Sequence, residues 1–97
     1  MDEWGKAERL AELFKLLSVD TRVRILQLLR SRAFCVTELT SQLGISIAAT
    51  SVHLRHLRSA GIVNGIKRGL FVYYHLDKKK TAELGKSLSE LFKSKGK

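Results

Sequence analysis

Residues 37–63, Thr37-Glu38-Leu39-Thr40-Ser41-Gln42-Leu43-Gly44-Ile45-Ser46-Ile47-Ala48-Ala49-Thr50-Ser51-Val52-His53-Leu54-Arg55-His56-Leu57-Arg58-Ser59-Ala60-Gly61-Ile62-Val63, decide the fold of this chain. Thr37 reads as the cap of a short helix from Glu38 to Leu43, and Gly44 stops that helix in the C′ position. After one turn residue, Ser46 caps a second helix that runs to about Ala60 and ends at Gly61. Two helices joined by a tight glycine-containing turn form a helix–turn–helix, here about residues 37–60. At about 100° per residue, Thr50, Leu54 and Leu57 share one face of the second helix and are assigned to the core. Ala48, Ser51, Val52, Arg55 and Ser59 fall on the opposite face.

Downstream, two alternating segments, Ile62 to Lys67 and Leu70 to Leu76, meet at Arg68-Gly69 and read as a β-hairpin. A basic hairpin directly after the second helix is a wing, about residues 62–76. The last segment, about 78–95, is helical, with Leu84, Leu88, Leu91 and Phe92 on one stripe. Upstream, Ala7, Leu10, Ala11, Phe14 and Leu17 mark one face of a helix over 5–17. Ser18-Val19 breaks it, and Asp20 reads as the N-cap of a second helix. Val23, Ile25, Leu26, Leu28 and Leu29 give that helix too much apolar surface for one stripe, which places it centrally. Phe34-Cys35-Val36 is a short extended piece. The expected fold is one domain over 1–97, mainly α with a small β-hairpin, in the order α-α-β-α-α-β-β-α.

Composition narrows the function. The chain has 97 residues, 44% of them hydrophobic, which suits one small globular domain and not a disordered chain. A domain this size buries only roughly 60–65% of its unfolded surface, so a second copy would add needed core. No apolar run approaches the roughly 18 residues of a membrane span. Met1-Asp2-Glu3-Trp4 lacks the basic start of a signal peptide, so a cytoplasmic location is expected and a membrane partner is not. Cys35, the single cysteine, fits a reducing compartment.

The net charge is +9, with 18 Lys and Arg against 9 Asp and Glu. From Thr50 to Lys80 the chain carries Arg55, Arg58, Lys67, Arg68, Lys78, Lys79 and Lys80 against one acid, Asp77. Such a field attracts polyanions, and double-stranded DNA is the expected partner. The plainer reading is a solvated basic surface.

On the outward face of the second motif helix, Arg55 and Ser51 can bond base edges or phosphates. Ala48 and Val52 can touch only apolar groups such as thymine methyls. Ser46 and Ile47 at the helix start, His56 at its side, and Lys67 and Arg68 at the wing complete the expected DNA-binding set. Against this stand a solvated Arg55 and an ordinary charged turn. His53 and His56, three apart on a helix, can geometrically share an ion, but no Cys, Asp or Glu neighbours them in sequence. A packed or phosphate-facing role is expected of them, and likewise of His75. No paired carboxylates, activated nucleophile or phosphate-cradling loop is present, so no catalytic residue, metal site or cofactor is expected.

Residues 10–77 resemble the ArsR/SmtB family of winged-helix repressors. The resemblance rests on Leu16 to Leu26, Glu38 to Ser46, His53 to Val63 and the wing end Val72-Tyr73-Tyr74-His75-Leu76. It implies a dimer built from the first and last helices, with Trp4, Leu10, Phe14, Leu84, Leu88, Leu91 and Phe92 supplying the apolar interface. It also implies repression by operator occupancy, relieved by a signal. Two departures stand out. Where the family's metal sensors have Cys-Val-Cys, this chain has Cys35-Val36-Thr37. Where a second family site has Asp and His at the last helix, this chain has Lys78-Lys79-Lys80. The recognition helix also starts with Ile47-Ala48-Ala49 in place of polar residues or proline, which shifts readout toward methyl contacts and DNA shape. Two other readings stay open: a sensor with an unrecognised site using Cys35 and a histidine, and a protein-interaction module using Ile47, Ala48 and Val52.

Overall fold

The computed structural model describes residues 3–94. Helix α1 spans Glu3–Leu16, α2 Asp20–Leu29, α3 Val36–Leu43, α4 Ile47–Ser59 and α5 Lys78–Leu91. Strands β1 (Phe34–Cys35), β2 (Val63–Arg68) and β3 (Phe71–Leu76) form one antiparallel sheet in the order β1-β3-β2. The element order is the expected one. The sheet is larger than the expected hairpin, because β1 pairs with β3 through Phe34↔Tyr74 and Cys35↔Tyr73. That pairing lays Phe34 and Cys35 in the interior, with 5% and 6% of their surface exposed.

The core gathers one or two side chains from nearly every element: Leu13, Ile25, Leu29, Phe34, Leu39, Leu54, Leu57, Ile62 and Val63. α2 contributes Ile25 and Leu29, whereas Val23 stays 37% exposed, so this helix is two-sided and only half enclosed.

The helix starts show two departures from expectation. Val19, not Asp20, occupies the cap position of α2, and its side chain makes no capping bond. Asp20 lies in the first turn instead, where its charge suits the helix dipole, and pairs with Arg24 four residues on at 3.3 Å. α3 begins two residues earlier than expected, at Val36, with Cys35 and not Thr37 at its cap. Glu38 decides this. Its Oε1 accepts the Cys35 N–H at 3.1 Å and holds the Arg32 guanidinium at 3.3 Å. The backbone bond, foremost, and Arg32 keep the Glu38 carboxyl below its ordinary pKa. The other caps follow the sequence: Ser46 Oγ accepts from Ala49 N at 3.0 Å, and Gly44 ends α3 at φ 69.

α5 starts on Asp77, whose Oδ1 accepts from Lys80 N at 2.8 Å while Oδ2 accepts from the Asn64 amide at 2.8 Å. It ends at Leu91, short of the expected limit near residue 95, which lies outside the described residues. α1 and α5 make the molecule long, with extents of 52 × 22 × 21 Å. Its radius of gyration is 15.2 Å, against about 13 Å for a compact chain of about 100 residues. No helix among the described residues is long and apolar enough to cross a membrane.

Candidate nucleic-acid interface

α4 is anchored on one side and free on the other. Thr50, Leu54 and Leu57 are its buried residues. Thr50 is fully buried yet satisfied: its hydroxyl donates to the Ser46 carbonyl at 2.9 Å and accepts from the Thr40 hydroxyl at 2.8 Å. The second bond ties α3 to α4 and fixes the angle of the motif. Behind them, Arg22 of α2 donates to His53 Nδ1 at 3.3 Å and to the Leu16 carbonyl at 3.2 Å. Burial first, then the Arg22 charge, holds His53 below the ordinary histidine pKa. By accepting from Arg22 through Nδ1, His53 ties α4 to the α1–α2 corner, a packed position.

The outward face carries Ser46, Ile47, Ala48, Ser51, Val52 and Arg55, all exposed. Ile47 and Val52 keep 56% and 39% of their surface open. No acidic residue lies in the first turn of α4, so nothing there repels an approaching phosphate. His56 is exposed too but turned elsewhere: with Ser59 and Ala60 it lines a groove of about 1080 Å³ between α1 and α5.

The wing projects as a hairpin whose pairing runs from Val63↔Leu76 to Arg68↔Phe71. Successive residues of a strand alternate faces, so Lys67 and Arg68 point to opposite sides. Burial fades along it, from Val63 at 0% to exposed Lys67 and Arg68 at its tip. Gly65 is required at its base, since a Cβ there would meet Val72 Cγ1 at 2.8 Å and Tyr74 Cε1 at 3.2 Å. A residue the sequence left inside a strand stands out here: Leu70 is 95% exposed at the turn. Its signal was the turn itself, two residues between paired strands.

The expected interface residues divide. Leu10, Leu84 and Leu88 are half-buried against the chain's own core. Trp4, Phe14, Leu91 and Phe92 remain 81%, 47%, 50% and 82% exposed.

A helix–turn–helix with an open cationic face, followed by a basic hairpin packed on the same core, defines the winged helix–turn–helix class of nucleic-acid-binding proteins. The family model for bacterial regulatory proteins of the arsR family matches residues 20–65. The cadmium resistance transcriptional regulatory protein CadC homolog of Staphylococcus aureus is 40% identical over 75 residues, 76% of this chain and 62% of that one. An uncharacterized HTH-type transcriptional regulator of Methanocaldococcus jannaschii is 34% identical over 87 residues, 89% of this chain and 98% of that one. A crystal structure described as a possible transcriptional regulator for arsenical resistance superimposes with a TM-score of 0.75 at 34% identity over 84% of each chain. This chain belongs to the arsR family. It spans between half and two-thirds of the length of the cadmium and arsenic regulators it matches.

The donors for a family-type metal ion do not fit. Cys35 is buried, and the atom beside its Sγ is the Thr37 hydroxyl at 3.5 Å, a hard and neutral group where a second thiolate would be needed. Among the described residues, no three His, Cys, Asp or Glu side chains come together. The start of α5 presents Lys78 and Lys79 to solvent, charges that repel a cation.

Proposed function

We propose that this chain is a sequence-specific, double-stranded-DNA-binding transcriptional regulator that works as a homodimer in the cytoplasm and represses by occupying its operator. One observation carries the reading: α4 is locked by its buried face and by Thr50, while its whole opposite face is open, free of acid and centred on Arg55. In this reading the start of α4 lies in the major groove, with Arg55 on a base edge or phosphate and Ala48 and Val52 against methyl groups. Lys67 and Arg68 hold the backbone beside it. Trp4, Phe14, Leu91 and Phe92 meet their counterparts in a second copy, with Leu10, Leu84 and Leu88 continuing the interface inward. Two copies then address half-sites about 34–36 Å apart, one helical turn of DNA. The function is binding and not catalysis, and it needs no metal or cofactor.

The test is selection of duplexes from a random pool, followed by anisotropy titrations over a range of salt. Arg55→Ala is expected to cost about 1–3 kcal/mol on the selected duplex and less on random DNA, as removal of a base contact does. Lys67→Ala with Arg68→Ala is expected to weaken both DNAs alike and lower the salt slope by roughly 0.9 per phosphate contact. Cys35→Ser is expected to bind like the parent with or without zinc. If every variant keeps the parental affinity at every salt concentration, these residues do not touch DNA. The open Ile47 and Val52 then point to a protein partner.

A further inference from the structure

Arg68 and Phe71 are the last paired residues of the wing, so Gly69 and Leu70 alone make its turn. Gly69 has φ 61, and no described non-glycine residue has a positive φ, the pattern of a type II′ turn with glycine first. This turn holds Leu70 at the apex, 95% exposed. Phe71 beside it is 52% exposed, with Ile66 and Val72 at 49% and 36% on the strands below. None of these side chains belongs to the core of the chain. Ile66, Arg68 and Phe71 lie on one face of the hairpin and Lys67 and Val72 on the other, so Leu70 stands at the apex with a cation on either side. No acidic residue occurs between Asn64 and Leu76.

An apolar apex on cationic shoulders is complementary to one surface in particular. The minor groove is about 6 Å wide, with base edges along its floor, phosphates along both walls, and apolar base faces that become accessible where a step is partly unstacked. A single side chain on a two-residue turn enters such a slot, whereas a protein or membrane patch calls for a broader face. Architectural proteins insert Leu or Phe between base steps in this way and kink the duplex.

We propose that Leu70, backed by Phe71, is a wedge that enters the minor groove beside the site read by α4 and partly unstacks one base step, while Lys67 and Arg68 grip the phosphates on either side. The proposal rests on the reading of the chain as a DNA-binding regulator. The wing then contributes specificity without hydrogen-bonding a base. Pyrimidine–purine steps such as TA unstack easily and A-tracts do not, so the wedge selects the former beneath the wing. This complements a recognition helix that begins with Ile47 and Ala48 and has few groups for reading bases.

The experiment uses the full chain and a short duplex that the parent selects from a random pool. A fluorescent adenine analogue that brightens on unstacking is placed at successive adenines beneath the wing. Binding of the parent is expected to brighten one step. Leu70→Ala is expected to abolish that signal and to weaken binding by about tenfold, because the contacts of the inserted side chain are lost and outweigh the relieved cost of unstacking. Replacing that step by an A-tract is expected to weaken the parent and leave Leu70→Ala unaffected. The side chain is solvent-exposed, so the melting temperature of Leu70→Ala should match the parent and exclude misfolding. Equal affinity and equal brightening for parent and Leu70→Ala overturn the wedge. So does a Leu70-dependent change in sedimentation, which would make the tip a contact between copies, or Leu70-dependent binding to phosphatidylserine vesicles without brightening on DNA. If the parent selects a duplex and Arg55→Ala weakens it while Leu70→Ala does not, the wedge alone fails. If the parent selects no duplex, the DNA reading fails with it.

Discussion

Helices α4 and α5 are almost the same length, 13 and 14 residues, and each carries an apolar stripe. They complete it differently. α4 sinks Thr50, Leu54 and Leu57 to between 0% and 2% exposure and leaves outside a mixed face that carries Arg55 and no acid in its first turn. α5 has no fully buried residue, and its stripe runs from half-buried Leu84 and Leu88 to Leu91 and the following Phe92, which are half or more exposed. The difference teaches what each helix still lacks. α4 is finished within the chain and offers the rest of itself to a polyanion. α5 offers apolar surface that only another apolar surface would remove from water.

The sharpest way to break this comparison is to cut into each stripe. Leu57→Ala opens a cavity at a fully buried position and is expected to cost roughly 2–5 kcal/mol of stability in urea unfolding. Leu91→Ala, half exposed, is expected to change the unfolding of the dilute chain far less. Equal losses would mean that α5 is already covered within one chain.

The next effect is on assembly. Leu88→Glu with Leu91→Glu places charge on the stripe and is expected to give a monomer in sedimentation. Losing the second half-site contact is then expected to weaken binding to the selected duplex by about a hundredfold or more. A double variant that stays dimeric would place the interface elsewhere.

A smaller change tests how α4 is held. Thr50→Val keeps the shape but removes both bonds of the buried hydroxyl, leaving Thr40 without its acceptor. About 1 kcal/mol of stability should be lost in urea unfolding. Affinity for the selected duplex should fall with it if this bond sets the angle between α3 and α4.

The smallest effect concerns the start of α5. The Lys80 backbone N–H, then the Asn64 amide, hold the Asp77 carboxyl below its usual 3.8. The folded state therefore favours the carboxylate. Its contribution is complete above the ordinary value and fades as pH falls through the lower folded value. Melting temperatures of the parent and Asp77→Asn should differ near neutral pH and converge in acid. A difference independent of pH would show that the charge of the Asp77 carboxylate is not what stabilises this cap. Three lysines follow Asp77 at the positive end of the helix dipole, so this one anion offsets an unfavourable run.

The inward faces were legible in the sequence because helical periodicity fixes which side chains align. Thr50, Leu54 and Leu57 fell together on that argument, and Gly44 and Ser46 marked the turn through their own backbone and capping preferences. The caps at Asp20 and Thr37 were misplaced because a capping residue is recognised by type, while its use depends on neighbours. Glu38, held by Arg32, moved the start of α3 to Val36. His56, at the side of α4 by projection and counted with the expected DNA-binding set, lines the α1–α5 groove, since a projection does not show which neighbour occupies a flank.

By itself, then, the sequence determined the order of elements, the helix–turn–helix, the basic wing and the mismatch with metal-binding donors, because these depend on local spacing and on residue chemistry. Only the tertiary structure decided the rest. It put β1 on the edge of β3, joined Thr40 to Thr50 and Arg22 to His53, and left Leu70 bare at the apex of the wing. Each of these depends on residues distant in sequence or on how much of a side chain its neighbours cover. Those quantities arise when elements pack against one another, and no single segment carries them.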